Sequence, residues 1–169
     1  MTTPTPAAPS AAESALLKAL QAVLGAEHAA VYGFGVVGAK SAGAAQQKAR
    51  TSYDAHRARR DEVEALIVKE GGRPQASAPA YTLPFPVESA ADAARLAVHL
   101  EDGVAAHLAD LVAAASGDGR IAAARWLQDT AFAGVAWRGS TVAFPGLPER
   151  AAPAATGTGA PAGSSGQPS

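Results

Sequence analysis

Proline is missing from two long stretches of this chain, Ser10 through Arg73 and Val87 through Phe144. Proline removes a backbone donor and its ring clashes with the preceding turn, so it rarely survives inside a helix. The twelve prolines fall instead before Ser10, between Pro74 and Pro86, and after Phe144. Each proline-free block is long enough for two helices and a turn. β-branched residues never gather in alternating runs, so strands are not expected. The chain therefore reads as two helical hairpins joined by a stiff connector.

Local signals place the boundaries. The first helix is predicted from Ala11 to about Lys40, with Ser10 as N-cap and Glu13 three residues on, a capping-box pattern. Lys40–Gly43 makes the turn, and the second helix runs from about Ala44 to Glu70, closed by Gly71 and Gly72. The third starts near Glu88 or Ser89 and ends near Ser116. Gly117-Asp118-Gly119 is expected as a tight turn, and the fourth helix as Arg120 to about Ser140. Residues 1–10 and 150–169 read as disordered ends, the latter rich in Pro, Gly and Ser, which leaves 11–149 as the folded domain.

The connector Arg73–Val87 bears on topology. A hairpin turn needs only a few residues, yet this segment has fifteen, with Pro74, Pro79, Pro84 and Pro86 among them. At roughly 3.1 Å per residue in extended form it can cover about 45 Å, and a 26-residue helix is about 39 Å long. It can therefore cross the length of the bundle and set the third helix parallel to the second. One such crossover between two hairpins is the wiring of ferritin-like bundles. A decorated loop in a simple up-down bundle is the alternative.

Composition excludes several functions. There are no cysteines, which removes disulfides, zinc-thiolate sites and thiol catalysis. A net charge of −1 argues against a general nucleic-acid binder. The start lacks the basic and apolar regions of a signal peptide, and the longest apolar run, Ala29 to Ala39, is about half a membrane span. A cytoplasmic protein with no membrane partner is expected. No phosphate loop, nucleophile elbow or Ser/His/Asp spacing occurs.

The informative residues are polar ones in apolar stripes. At about 100° per residue, Leu16, Leu20, Val23, Leu24, Val31 and Phe34 share a face of the first helix, with Glu27 in its midst. Ala45, Ala49, Val63 and Ile67 mark the second, with His56 central and Tyr53 one turn earlier. Leu96, Leu100, Val104, Leu108 and Leu111 mark the third, with Glu101 on its flank. A buried carboxylate is costly unless paired, protonated or metal-bound, so Glu27, His56 and Glu101 are expected to meet.

Carboxylate-bridged di-iron bundles use one Glu from each of two helices and a Glu-x-x-His pair from each of the others. This chain resembles a worn version. Glu27 is followed at 26 and 29 residues by Tyr53-x-x-His56, and Glu101 at 27 and 30 by Gln128-x-x-Ala131. The resemblance implies that Glu27, His56 and Glu101 stand at ligand positions, while Tyr53, Gln128 and Ala131 replace the Glu, Glu and His of the pattern. Two readings stay open. Glu27, Tyr53, His56, Glu101 and Gln128 form a metal-free polar cluster, or Glu27, His56 and Glu101 hold a single iron or manganese ion in the manner of a facial triad. The segments AEHAAVYGFGVVGA, AHRARRDEVEALI, PAYTLPFPV, LEDGVAAHLADLV and TVAFPGLPE also resemble an actinobacterial ferritin-like family of unknown function, over roughly Ala15 to Glu149. That resemblance implies a fold and no established activity.

The leading expectation is a non-catalytic helical bundle acting in structure or interaction; an iron- or manganese-dependent oxidoreductase and an adaptor are the alternatives. Gly33, Gly35 and Gly38 within the first helix mean close packing inside the bundle or a dimer seam, and a homo-oligomer, most simply a dimer, is expected. Arg50, Arg57, Arg59, Arg60 and Lys69 make the second helix basic, as a solvated, ion-paired face or a dock for an acidic protein partner. Arg60 is placed where it could reach Glu27 or Glu101. His28, His99 and His107 read as surface or boundary residues, and Trp126 and Trp137 as covers for the connector or tail.

Overall fold

The computed structural model describes residues 11–147. They form four α-helices, α1 (Ala11–Ala39), α2 (Gly43–Lys69), α3 (Ala90–Ala114) and α4 (Gly117–Arg138), and no strand occurs among the described residues. The expectations for 1–10, for the Ser10–Glu13 capping pattern and for the tail lie outside the described residues or their side chains.

The helix ends follow from local chemistry. α2 stops in a Schellman turn. Gly71 takes φ 76°, a conformation a Cβ would penalise, and this lets Gly71 N–H donate to Val68 O and Gly72 N–H to Ile67 O. α3 opens on a capping box: Asp92 N–H donates to Ser89 Oγ and Ser89 N–H to Asp92 Oδ2, both at 3.1 Å. The fourth helix begins earlier than expected. Ser116 is the extended N-cap, and Arg120 N–H donates to Ser116 O, which closes a helical turn over Gly117-Asp118-Gly119. The residues predicted as a tight turn are thus the first turn of α4.

α1 is the central element, packed on α2 and α3, and α3 packs on α4. By length and composition Ala15–Ala39 could span a bilayer. A helix apolar nearly all round needs cover, and α2, α3 and the connector bury part of it, while Tyr32 and Gly35 stay exposed. Leu20, Val23, Leu24, Phe34 and Val37 meet Val63 and Ile67 of α2 and Leu96, Val104, Leu108 and Leu111 of α3 in one core. α4 adds only small fully buried residues, Ala123, Thr130 and Gly134. Side chains link α2 to α4: Lys48 Nζ donates to Ala136 O at 2.8 Å and lies 4.4 Å from the centre of the Trp137 ring.

The connector is fastened along α1. Gln21 Nε2 donates to Arg73 O at 2.6 Å, and Gln75 donates through N–H to Gln21 Oε1 and through Nε2 to Gln21 O, at 3.1 and 2.7 Å. Farther along, Tyr81 meets Tyr32 at 5.6 Å between ring centres, and Arg95 of α3 covers Phe85 at 3.9 Å. His28, expected at the surface or boundary, is buried, and its Nε2 meets Gln75 O at 3.2 Å beneath the connector.

The tryptophans depart from expectation, whereas Gly33 and the basic face of α2 follow one of the two readings given for each. Trp137 faces inward to Phe34, and Trp126 lines a cavity of about 510 Å³ with Leu16, Leu20, Leu66 and Leu111, so both pack on the bundle. A Cβ on Gly33 would lie 2.6 Å from Leu100 Cδ1; that glycine serves the α1–α3 approach. The basic residues of α2 are largely compensated, with Arg50 on Asp54 and Arg60 on Asp61, while Arg59 is buried.

Candidate functional site

Four helices each send a polar side chain to one level of the core. Glu27 comes from α1, His56 and Arg59 from α2, Glu101 from α3 and Thr130 from α4. All five are buried, Glu27 completely and His56 and Glu101 to within 2%. His56 Nδ1 lies 2.7 Å from Glu27 Oε2, and His56 Nε2 lies 3.6 Å from Glu101 Oε1. The imidazole therefore stands between two carboxylates. Phe34 stacks on it at 5.0 Å and 20°. The other oxygen of Glu27, Oε1, accepts from Arg59 Nη1 at 3.1 Å, and the same nitrogen donates to Thr130 Oγ1 at 2.8 Å. A second chain of donors ends on Glu101: Trp137 Nε1 donates to Ser52 Oγ at 3.3 Å, and Ser52 Oγ donates to Glu101 Oε1 at 3.4 Å. Glu101 Oε2 is buried with no partner.

The electrostatics follow from this placement. Burial disfavours charge on His56, but hydrogen bonds to Glu101 and Glu27, together with their negative charge, outweigh it and raise its pKa from 6.5 to about 9. His56 is thus an imidazolium at neutral pH. Two carboxylates face an imidazolium and a guanidinium, and the buried charge sums to zero. That is the condition under which a buried ionic group is tolerable.

Of the five residues expected in the cluster, Glu27, His56 and Glu101 converge and Tyr53 and Gln128 do not. Tyr53 is half-buried beside a cavity of about 380 Å³ that it lines with Phe34, Gly35 and Arg50, and Arg57 covers its ring at 5.7 Å. Gln128 is exposed on the outer side of α4. Arg60 pairs with its neighbour Asp61 and not with either core carboxylate.

Helical phase explains the misses. At about 100° per residue, Ser52 and Arg59 lie on one flank of His56, and Tyr53 and Arg60 on the other. The cluster uses the first flank because α4, with Thr130 and Trp137, stands on that side. Thr130 did carry a sequence signal. Twenty-nine residues separate Glu27 from His56, and the same interval leads from Glu101 to Thr130. A strict repeat points to Thr130; one residue of slack had pointed to Ala131 and Gln128. Ser52 and Trp137 carried no comparable signal.

As arranged, these residues do not fit a metal ion. Both His56 nitrogens face carboxylates, so neither offers a lone pair to a cation, and the guanidinium occupies the remaining side of Glu27. Among the described residues no group of three or more His, Asp or Glu side chains converges in a metal-holding arrangement.

The fold and site define an all-α four-helix protein with an ion cluster at its centre. Residues 19–149 match the family described as Domain of unknown function (DUF4439), and the chain belongs to that family. Among solved structures it is similar to that of a conserved hypothetical protein, rv2844, from Mycobacterium tuberculosis. The identity is 35% and the TM-score 0.74, over 80% of this chain and 100% of that one. No curated protein matches.

Proposed function

We propose that this protein is a ferritin-like bundle whose di-iron site has decayed into a metal-free ion cluster, and that it acts as a non-catalytic structural or interaction protein. One observation carries the reading: Glu27, His56 and Glu101 are buried against one another, with the imidazole between the two carboxylates and Arg59 on the second oxygen of Glu27, out of reach of solvent. A catalytic site must admit a substrate. Neither the cavity of about 380 Å³ nor that of about 510 Å³ is lined by Glu27, His56 or Glu101.

The ferritin-like wiring draws support from which residues share a level. Leu16 and Leu20 near the start of α1 share a cavity with Leu66 and Lys69 near the end of α2, Leu111 and Ala114 at the end of α3, and Asp118 at the start of α4. Phe34 near the end of α1 stands with Trp137 near the end of α4. Helices α2 and α3 then run in the same direction, and the Pro-rich connector makes the crossover.

One observation favours the second reading, an iron- or manganese-binding oxidoreductase built on Glu27, His56 and Glu101: the unpartnered Glu101 Oε2. Metal analysis of the full chain, produced with added iron and manganese and purified without chelator, decides between them. We expect far less than one ion per chain. Stoichiometric iron or manganese that disappears in Glu27→Gln would overturn the metal-free reading.

A further inference from the structure

We propose that the outward face of α4 is the contact through which two copies of this chain pair, antiparallel and about a two-fold axis. Ile121 of each copy then meets Phe132 of the other, and Arg125 of each meets Asp129 of the other. The proposal supplies a partner for an interaction role and does not depend on the state of the core cluster.

α4 carries its bulk on the outside. Its buried positions hold small residues, Ala123, Thr130 and Gly134, whereas Ile121 and Phe132 are 53% and 65% exposed. A surface helix ordinarily turns its large apolar side chains to the core. Two exposed apolar residues are common enough by themselves; their spacing, and the charges beside them, point to a partner. Eleven residues at about 100° each return to within about 20° of the start and advance about 16 Å, so Ile121 and Phe132 share one stripe. Arg125 and Gln128 fill it between them, and Asp129 lies on the same edge as Arg125. Both charged residues are exposed. Among the described residues neither has an ion-pair partner, although Arg50 and Asp54 of α2, at the same spacing, meet at 3.2 Å. α4 packs mainly on α3, which leaves this face clear.

A second copy of the face answers both features. In an antiparallel pair, residues that share one midpoint stand level. Ile121 and Phe132 are centred between 126 and 127, and Arg125 and Asp129 on 127, so the two pairings coincide to within about 1 Å along the axis. A two-fold axis there sets like edges of the stripe together, which brings each Arg125 to the other copy's Asp129. That is the self-complementarity a closed dimer requires. A parallel pair would set Arg125 against Arg125 and lose it. One helix pair is small for an interface, so the dimer should dissociate on dilution through the micromolar range.

The test is sedimentation of the full-length chain across that range. Wild type should pass from monomer to dimer as concentration rises. Phe132→Ser should weaken pairing at least about tenfold, because the loss counts twice in a symmetric contact, while the melting temperature of the dilute monomer stays unchanged. Arg125→Glu and Asp129→Arg each set like charges together, so each should remain monomeric alone. Mixed one to one, these two variants should form a heterodimer, since every charge then meets its opposite. Val68→Ser, at an exposed position of α2, should leave pairing as in wild type.

A wild-type chain that stays monomeric throughout overturns the proposal. So does a dimer that tolerates Phe132→Ser and both charge reversals, which would place the seam elsewhere, and so does an assembly that grows beyond two copies. Where the single variants disagree, or Phe132→Ser does not fold, the mixture decides: a heterodimer supports the α4 pair, and two monomers overturn it. The metal content of the core is untouched by any of these substitutions, so the metal-free reading stands or falls separately.

Discussion

At the scale of single residues, His56 and its neighbours make the protein's stability depend on pH in a definite direction. The folded pKa of about 9 lies above the ordinary 6.5. The contribution is therefore complete below about pH 6.5 and is lost as pH rises through 9. Between those limits we expect unfolding free energy to fall by about 3 kcal/mol, read by urea denaturation at several pH values. The groups facing the ring are Glu27 and Glu101, with Arg59 beyond Glu27. A His56→Gln variant should show a flat profile across this window; an unchanged slope would mean that the imidazolium is not paired as described. Thr130→Val keeps the side-chain shape and removes the oxygen that Arg59 reaches. It should cost about 2 kcal/mol, as expected for a buried hydrogen bond to a charged donor, while a neutral outcome would make Thr130 a spacer.

Among the elements, the connector differs from an ordinary loop because polar contacts hold it to α1. Gln75 makes two hydrogen bonds to Gln21, and His28 meets its carbonyl. Gln21→Ala, which removes the partners of Arg73 O and of Gln75 N–H, should free the segment from Arg73 to Tyr81 without opening the helices. Hydrogen exchange and limited proteolysis should quicken there, while the melting temperature falls by only about 2–6 °C. Equal loss of protection in α2 and α3 would mean that the connector and bundle unfold as one unit. The helices themselves were largely legible beforehand, since their ends depend on local chemistry such as Gly71 and Ser89. The start of α4 was not. Gly-Asp-Gly reads as a turn from its own residues, and it becomes helical where Ser116 caps the chain and Arg120 closes the first turn.

For the molecule as a whole, the charge that matters is internal and balanced, whereas the exposed pairs such as Arg50–Asp54 are of the kind that contributes little. Salt screens surface charge over about 3 Å at 1 M and reaches buried pairs far less. We expect the melting temperature to stay nearly constant from low to high salt. A steep fall would show that surface pairs hold the bundle together. Membership of the Domain of unknown function (DUF4439) family and the likeness to the rv2844 protein describe the same four-helix body and assign no chemistry to its centre. The chemistry has to be read from the side chains.

The amino-acid order alone determined that the chain is helical, where proline confines the helices, and that Glu27, His56 and Glu101 must find partners in a dry core. Those conclusions depend only on backbone sterics, a period of 3.6 residues and the cost of burying charge. It could not determine which flank of α2 would complete the cluster. Ser52 and Arg59 lie to one side of His56, Tyr53 and Arg60 to the other, and each flank offers a plausible polar group. Only the position of α4, set by packing between helices distant in sequence, selected Arg59 and Thr130 and left Tyr53 and Gln128 outside.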